Sequence, residues 1–126
     1  MTAIRAAACA ALVVCAAAAP AGAAARTRVT VTYWPHGAGR HATTWHLTCA
    51  PAGGTHPQPR LACRELAAHA AQLRPPARAC PFHATLGEPQ ARVRGRIGAT
   101  DVDRTVTPAC DARAFRDLHA LLTGRA

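Results

Sequence analysis

The chain contains no lysine, one methionine, one tyrosine, two tryptophans and two phenylalanines among its 126 residues. Aromatic residues amount to 4%, and much of the 50% hydrophobic fraction is alanine, which buries little surface per residue. So few large apolar side chains support one small core, which argues against a multi-domain enzyme or a fold built around a large cofactor. Acidic residues are scarce as well: six stand against fifteen arginines, for a formal net charge of +9. An Ala-, Arg- and Pro-rich composition is also what a GC-rich genome produces, so the charge by itself does not define a partner. No C-x-x-C or H-x-x-x-H pair is present among the cysteines and histidines to support a zinc site. Neither a metal nor a cofactor is expected. The longest apolar run, Ala6 to Ala19, falls short of the roughly 20 residues a membrane span needs.

That run has a different use. Arg5 precedes it as the only charge of the first 25 residues, and Ala23-Ala24-Ala25 closes the segment with small side chains. This is the layout of a secretory signal peptide with an A-x-A cleavage site, so residues 1–25 are expected to be removed and residues 26–126 exported. The exported chain keeps 14 arginines and all six acids, and has no membrane segment. Cys9 and Cys15 leave with the signal. Cys49, Cys63, Cys80 and Cys110 remain, and in a small exported chain four cysteines are expected to form two disulfides. Three connectivities are open. The spacings suit Cys49–Cys63 and Cys80–Cys110, each closing its own loop, and a 15-residue loop contributes roughly 3 kcal/mol to a thin core.

Val29, Val31 and Tyr33 alternate with Thr30, Thr32 and Trp34, and Trp45, Leu47 and Cys49 alternate after a turn at 35–39, so the mature chain opens with a β-hairpin. Residues 51–59 are rich in Pro and Gly and are expected as loop. Ala62, Leu66, Ala70 and Leu73 recur at helical spacing, and Arg74-Pro75-Pro76 ends that helix. Residues 77–90 lack periodicity and contain Pro81, Gly87 and Pro89, an exposed loop. Val93, Gly95 and Ile97 alternate with Arg92, Arg94 and Arg96, and Val102, Arg104 and Val106 follow a turn at 98–100, a second hairpin. Asp111 is placed to cap a last helix carrying Phe115, Leu118, Leu121 and Leu122. The order β-β-α-loop-β-β-α predicts an α+β domain, an antiparallel sheet covered on one face by two helices.

Leu47-Thr48-Cys49-Ala50-Pro51-Ala52-Gly53-Gly54-Thr55-His56-Pro57, with Ala62-Cys63 opening a helix, resembles the Streptomyces subtilisin inhibitor family. Cys80-Pro81-Phe82-His83, Val93-Arg94-Gly95 and the position of Cys110 carry the resemblance further, over about residues 28–110. It implies a secreted, usually dimeric protein that inhibits subtilisin-like serine proteases through an exposed, substrate-like loop. Matched residue by residue, it makes Phe82-His83 the bond presented to the protease, with Ala79, Cys80 and Pro81 on its amino side and Ala84 beyond. Phe82 would then fill the primary specificity pocket, and an aromatic there suits subtilisin- and chymotrypsin-like enzymes. Pro81 restricts φ beside that bond, and a cysteine two residues before Phe82 ties the loop to the scaffold. Such pre-ordering lowers the entropy lost on docking. The sequence departs from the family where Tyr-Asp-Pro commonly follows the presented bond: here Ala84-Thr85-Leu86-Gly87 intervenes, and Glu88-Pro89 is the displaced equivalent. The family's tryptophan in the second hairpin is absent, and Phe115 to Ala126 reads as helix and tail where the family has an aromatic strand.

A rival reading comes from Arg92, Arg94 and Arg96, extended by Arg104, as a cationic stripe on one face of the second hairpin. It describes a secreted, non-inhibitory protein that binds a polyanion or the cell surface. Nucleic acid is not expected as the partner, given the export signal and the scarcity of aromatics for stacking. Asp101 and Asp103 share a face of that hairpin and are expected as a solvated charge cluster among the arginines, not as paired catalytic carboxylates. His56 is expected to make a local hydrogen bond in a turn. No residue is nominated for catalysis.

Overall fold

The computed structural model describes residues 26–75, Cys80 and residues 87–126. The expected signal segment, 1–25, lies outside the described residues. Five strands, β1 (Arg28–Trp34), β2 (Thr43–Thr48), β3 (Gly53–Gly54), β4 (Gln90–Ile97) and β5 (Thr100–Val106), form one sheet in the order β3-β2-β1-β4-β5. Every neighbouring pair is antiparallel. Both expected hairpins are present, and β1 joins them: Val31 lies opposite Trp45 on β2 and Val93 on β4. Helix α1 (Pro59–His69) runs on as a 3-10 turn over Ala70–Leu73, and the chain ends in α2 (Ala112–Asp117) and α3 (His119–Thr123).

Two details differ from expectation. The 51–59 loop contains β3, a two-residue strand whose glycines gave no apolar alternation to detect. The last helix is broken at Leu118, whose φ of −110° and ψ of 26° leave the helical region and re-aim the chain. That break lets Leu118, Leu121 and Leu122 all become fully buried.

The core lies between the sheet and the helices. Val29, Val31, Leu47, Ala91, Val93 and Val106 face it from the sheet, Ala62, Leu66 and Leu73 from the first helical segment, and Ala114, Leu118, Leu121 and Leu122 from the C-terminal helices. Each fully buried Leu or Val contributes roughly 1.5–3 kcal/mol over its exposed state. The cluster is small, and polar ties reinforce it. The Glu65 carboxylate on α1 accepts hydrogen bonds from the Ala120 and Leu121 amides at 3.0 and 2.7 Å, satisfying N–H groups at the start of α3 that have no intrahelical acceptor. His56, 3% exposed, receives the Gln58 amide on Nδ1 at 3.0 Å, and its Nε2 lies 3.0 Å from the Leu121 carbonyl. An amide can only donate and a carbonyl only accept, so the ring carries its proton on Nε2. The local bond expected of His56 exists, and a second one pins α3 from 65 residues away in sequence.

At Gly95 (φ +137°) a Cβ would fall 2.2 Å from the Arg28 carbonyl oxygen and 2.9 Å from Val29 Cα. Only glycine lets β4 approach β1 so closely here. Both expected disulfides are formed, Cys49–Cys63 and Cys80–Cys110. The first ties the end of β2 to α1. The second ties residue 80 to the turn between β5 and α2.

Candidate functional site: the frame of the 80–88 loop

Of the residues matched to the presented bond, Phe82, His83 and the flanking Ala79, Pro81 and Ala84 lie outside the described residues; Cys80 lies within them. The structure describes the frame on which this loop begins and ends. That frame is the turn over residues 107–111, between β5 and α2. Two bonds close the turn: the Asp111 amide donates to the Thr107 carbonyl at 2.8 Å, and the Cys110 amide to the Thr107 hydroxyl at 3.3 Å. It is tied to residue 80 and to residue 88, the two ends of the segment between them. Cys110 carries the disulfide to Cys80 on the amino side. On the carboxyl side, the amide of Ala109 donates to Glu88 Oε1 at 2.8 Å. Consecutive residues, Ala109 and Cys110, therefore grip both flanks of the segment that contains Phe82-His83. Glu88, identified from the sequence as a displaced family position, supplies the second grip.

A second contact backs the carboxyl flank. Gly37, in the β1–β2 turn, is buried against Gly87: a Cβ at Gly37 would lie 3.1 Å from the Gly87 nitrogen.

The turn is itself braced from beneath by Arg104, whose Nη2 bonds the Asp111 carboxylate. Both side chains are largely buried, at 12% and 14% exposure. Nη1 of the same guanidinium donates to the Arg74 carbonyl at 3.3 Å, where the chain leaves the 3-10 turn towards residue 80. Its buried Nε has no partner among the described residues. This overturns the placement of Arg104 in the surface stripe. Arg104 pairs across the hairpin with Val93, which is fully buried, so it points to the helix side of the sheet. Asp111 holds the N-cap position of α2, yet its side chain caps no amide of that helix and is taken up by Arg104.

Arg92, Arg94 and Arg96 do share the open face of the sheet, opposite the helices, but they are not a bare cationic stripe. Arg92 grips Asp103 with two bonds of 2.8 and 2.9 Å, Arg94 lies 3.5 Å from the same carboxylate, and Arg96 lies 3.8 Å from Asp101. The two-pronged Arg92 bond holds the Asp103 carboxyl below its ordinary 3.8 and raises Arg92. The expected charge cluster is present: Asp101 and Asp103 lie among the three arginines, while Arg28 on β1 stands opposite Arg96 on the same face. Asp117 is also held below its ordinary value, chiefly by the Gln72 amide at 2.9 Å and then by Arg116. No metal-binding group of His, Cys, Asp and Glu is found among the described residues, and no helix among them is long and apolar enough to cross a membrane.

A family model described as subtilisin inhibitor-like matches residues 23–84, the stretch running from before β1 through α1 to the residue after His83. Over that stretch, just under half of the chain, the sequence is similar to the subtilisin inhibitor-like family. Among solved structures that match is sermetstatin of Streptomyces caespitosus, crystallised in complex with Bacillus licheniformis subtilisin. The two are 25% identical with a TM-score of 0.47, over 75% of this chain and 94% of that one. No curated protein sequence matches the chain significantly.

Proposed function

We propose that residues 26–126 form a secreted inhibitor of subtilisin- and chymotrypsin-like serine proteases, which presents Phe82-His83 as a substrate-like bond. The carrying observation is the double grip of one turn on both flanks of the 80–88 loop, in a chain matched by the subtilisin inhibitor-like model. Phe82 would occupy the primary specificity pocket of an extracellular protease. The protease's own serine and histidine then act on the Phe82 carbonyl. This chain supplies geometry only and needs no cofactor. After attack, the new amino group at His83 stays close, because the Ala109–Glu88 bond holds its side while the Cys80–Cys110 disulfide holds the Phe82 side. A leaving group that cannot leave favours resealing over hydrolysis, for the same reason that tethered reactants react at high effective concentration. The frame also limits the entropy lost on docking. The family resemblance further implies a homodimer, which sedimentation of the oxidised protein would test.

The polyanion reading is weakened by Arg104 turning inward and by Asp101 and Asp103 pairing with the remaining arginines of the hairpin. Two variants separate the two functions. Phe82→Gly is expected to abolish inhibition of subtilisin and chymotrypsin while leaving the thermal midpoint unchanged. Replacing Arg92, Arg94 and Arg96 together by glutamine is expected to leave inhibition intact. The reverse pattern would contradict the proposal.

A further inference from the structure

We infer that Arg104 is the positioning residue of the presented loop, an assignment that rests on the inhibitory reading above. The guanidinium of Arg104 joins two separate stretches of chain. One arm bonds Asp111, the residue after Cys110 and two after Ala109, so it fixes the turn that grips both loop flanks. The other arm bonds the Arg74 carbonyl, six residues before Cys80, where the chain sets out towards the loop. A planar fork with separate donors can hold two acceptors at a fixed angle, which an ammonium on a flexible stem cannot. Arg104 itself sits on β5, paired with β4 opposite Val93, one of the most buried positions of the sheet. The rigid sheet is thereby coupled to the departure and the anchorage of the loop through one side chain.

Charge economy points the same way. A largely buried ion pair is a poor device for stability, since desolvation offsets its attraction, and well-packed apolar residues often serve as well. A pair that instead sets the angle of a turn has a reason to be ionic. The bonds to Arg74, Asp111 and, through the turn, Cys80 and Glu88 form one connected path, with every contact at hydrogen-bond distance or covalent.

The test separates positioning from stability. Oxidised residues 26–126 would be prepared as wild type, Arg104→Met, Arg104→Lys, and Arg104→Met combined with Asp111→Asn. The double variant removes the stranded carboxylate charge but keeps an oxygen for the Thr107 amide, which now lies 3.5 Å from Asp111 Oδ2. Its thermal midpoint is expected to recover most of what Arg104→Met loses. Two readouts follow, well below every midpoint: the inhibition constant against subtilisin, and the rate of cleavage within residues 79–84 by mass spectrometry. Arg104→Met and the double variant are expected to weaken inhibition and speed cleavage by roughly tenfold or more, the loss typical of a charged hydrogen bond. Arg104→Lys should fall between them and wild type. Leu66→Ala, destabilised in the core on α1, should be cleaved at the wild-type rate. A double variant that inhibits and resists cleavage like wild type would overturn the assignment. If wild type itself fails to inhibit, the inhibitory reading falls, and the cleavage rates still decide whether Arg104 positions the loop.

Discussion

Breaking the Cys80–Cys110 bridge should separate two effects that the Cys49–Cys63 bridge combines differently. The bridges close loops with sequence separations of 30 and 14 residues. In the chain-entropy treatment, removing the first costs about 3.7 kcal/mol and the second about 3 kcal/mol. For a domain of about 100 residues these losses correspond to a fall in melting temperature of roughly 15–30 °C and 12–24 °C. The stability effects are thus similar. The functional effects should not be. Cys49–Cys63 joins the end of β2 to α1, remote from the 107–111 turn, whereas Cys80–Cys110 is the amino-side grip on the loop. With Cys80 and Cys110 both replaced by serine, the loop should become an ordinary substrate, cut between Phe82 and His83 and released. With Cys49 and Cys63 replaced, the surviving folded fraction should still inhibit stoichiometrically at low temperature. The assay is titration of subtilisin at about 10 °C beside thermal melts of each variant. Equal loss of inhibition from both bridges would refute the reasoning, because it would make inhibition a matter of global stability alone.

Other consequences can be checked on the same preparations. Gly95→Ala should destabilise the fold by about 2 kcal/mol or more in urea melts, since the new Cβ meets the Arg28 backbone across β1 and β4. Glu65→Gln should cost about 1–2 kcal/mol, because a charged acceptor for the Ala120 and Leu121 amides becomes a neutral one with a single oxygen. Asp103 and Asp117 both titrate below the ordinary carboxylate value of 3.8 in the folded chain. Their contribution to stability is therefore full above the unfolded value and is lost as pH falls through the lower folded value. Melting points measured between pH 5 and pH 2 should fall on acidification, and Asp117→Asn should flatten part of that fall. Glu88→Gln should speed cleavage within residues 79–84 while barely moving the melting temperature, since it loosens the carboxyl-side grip.

Both hairpins, the first helix and the disulfide partners were open to sequence reasoning, because period-two alternation and cysteine spacing report local geometry directly. The inward turn of Arg104 was legible as well. It stands between Val102 and Val106 at the same period that marks an inward face, but its charge suggested the surface with Arg92, Arg94 and Arg96. The two-residue turn between Ile97 and Thr100 sets the register that puts Arg104 opposite Val93. The partner of Arg104 was not legible. Asp111 looked like a helix cap because capping is a local pattern, while a bond back to β5 depends on where the 107–111 turn folds. Glu65 had no sequence signal at all. Its partners, Ala120 and Leu121, are backbone amides more than 50 residues away, exposed only because the last helix breaks at Leu118. The frame of the loop belongs to the same class: Ala109 grips Glu88 through its backbone, which no residue type announces.

The most direct test is a titration of oxidised residues 26–126 against subtilisin and chymotrypsin, with mass analysis of the mixture over time. The account predicts stoichiometric loss of protease activity, with only slow cleavage, located between Phe82 and His83. Rapid cleavage of the loop with the protease left active would contradict it.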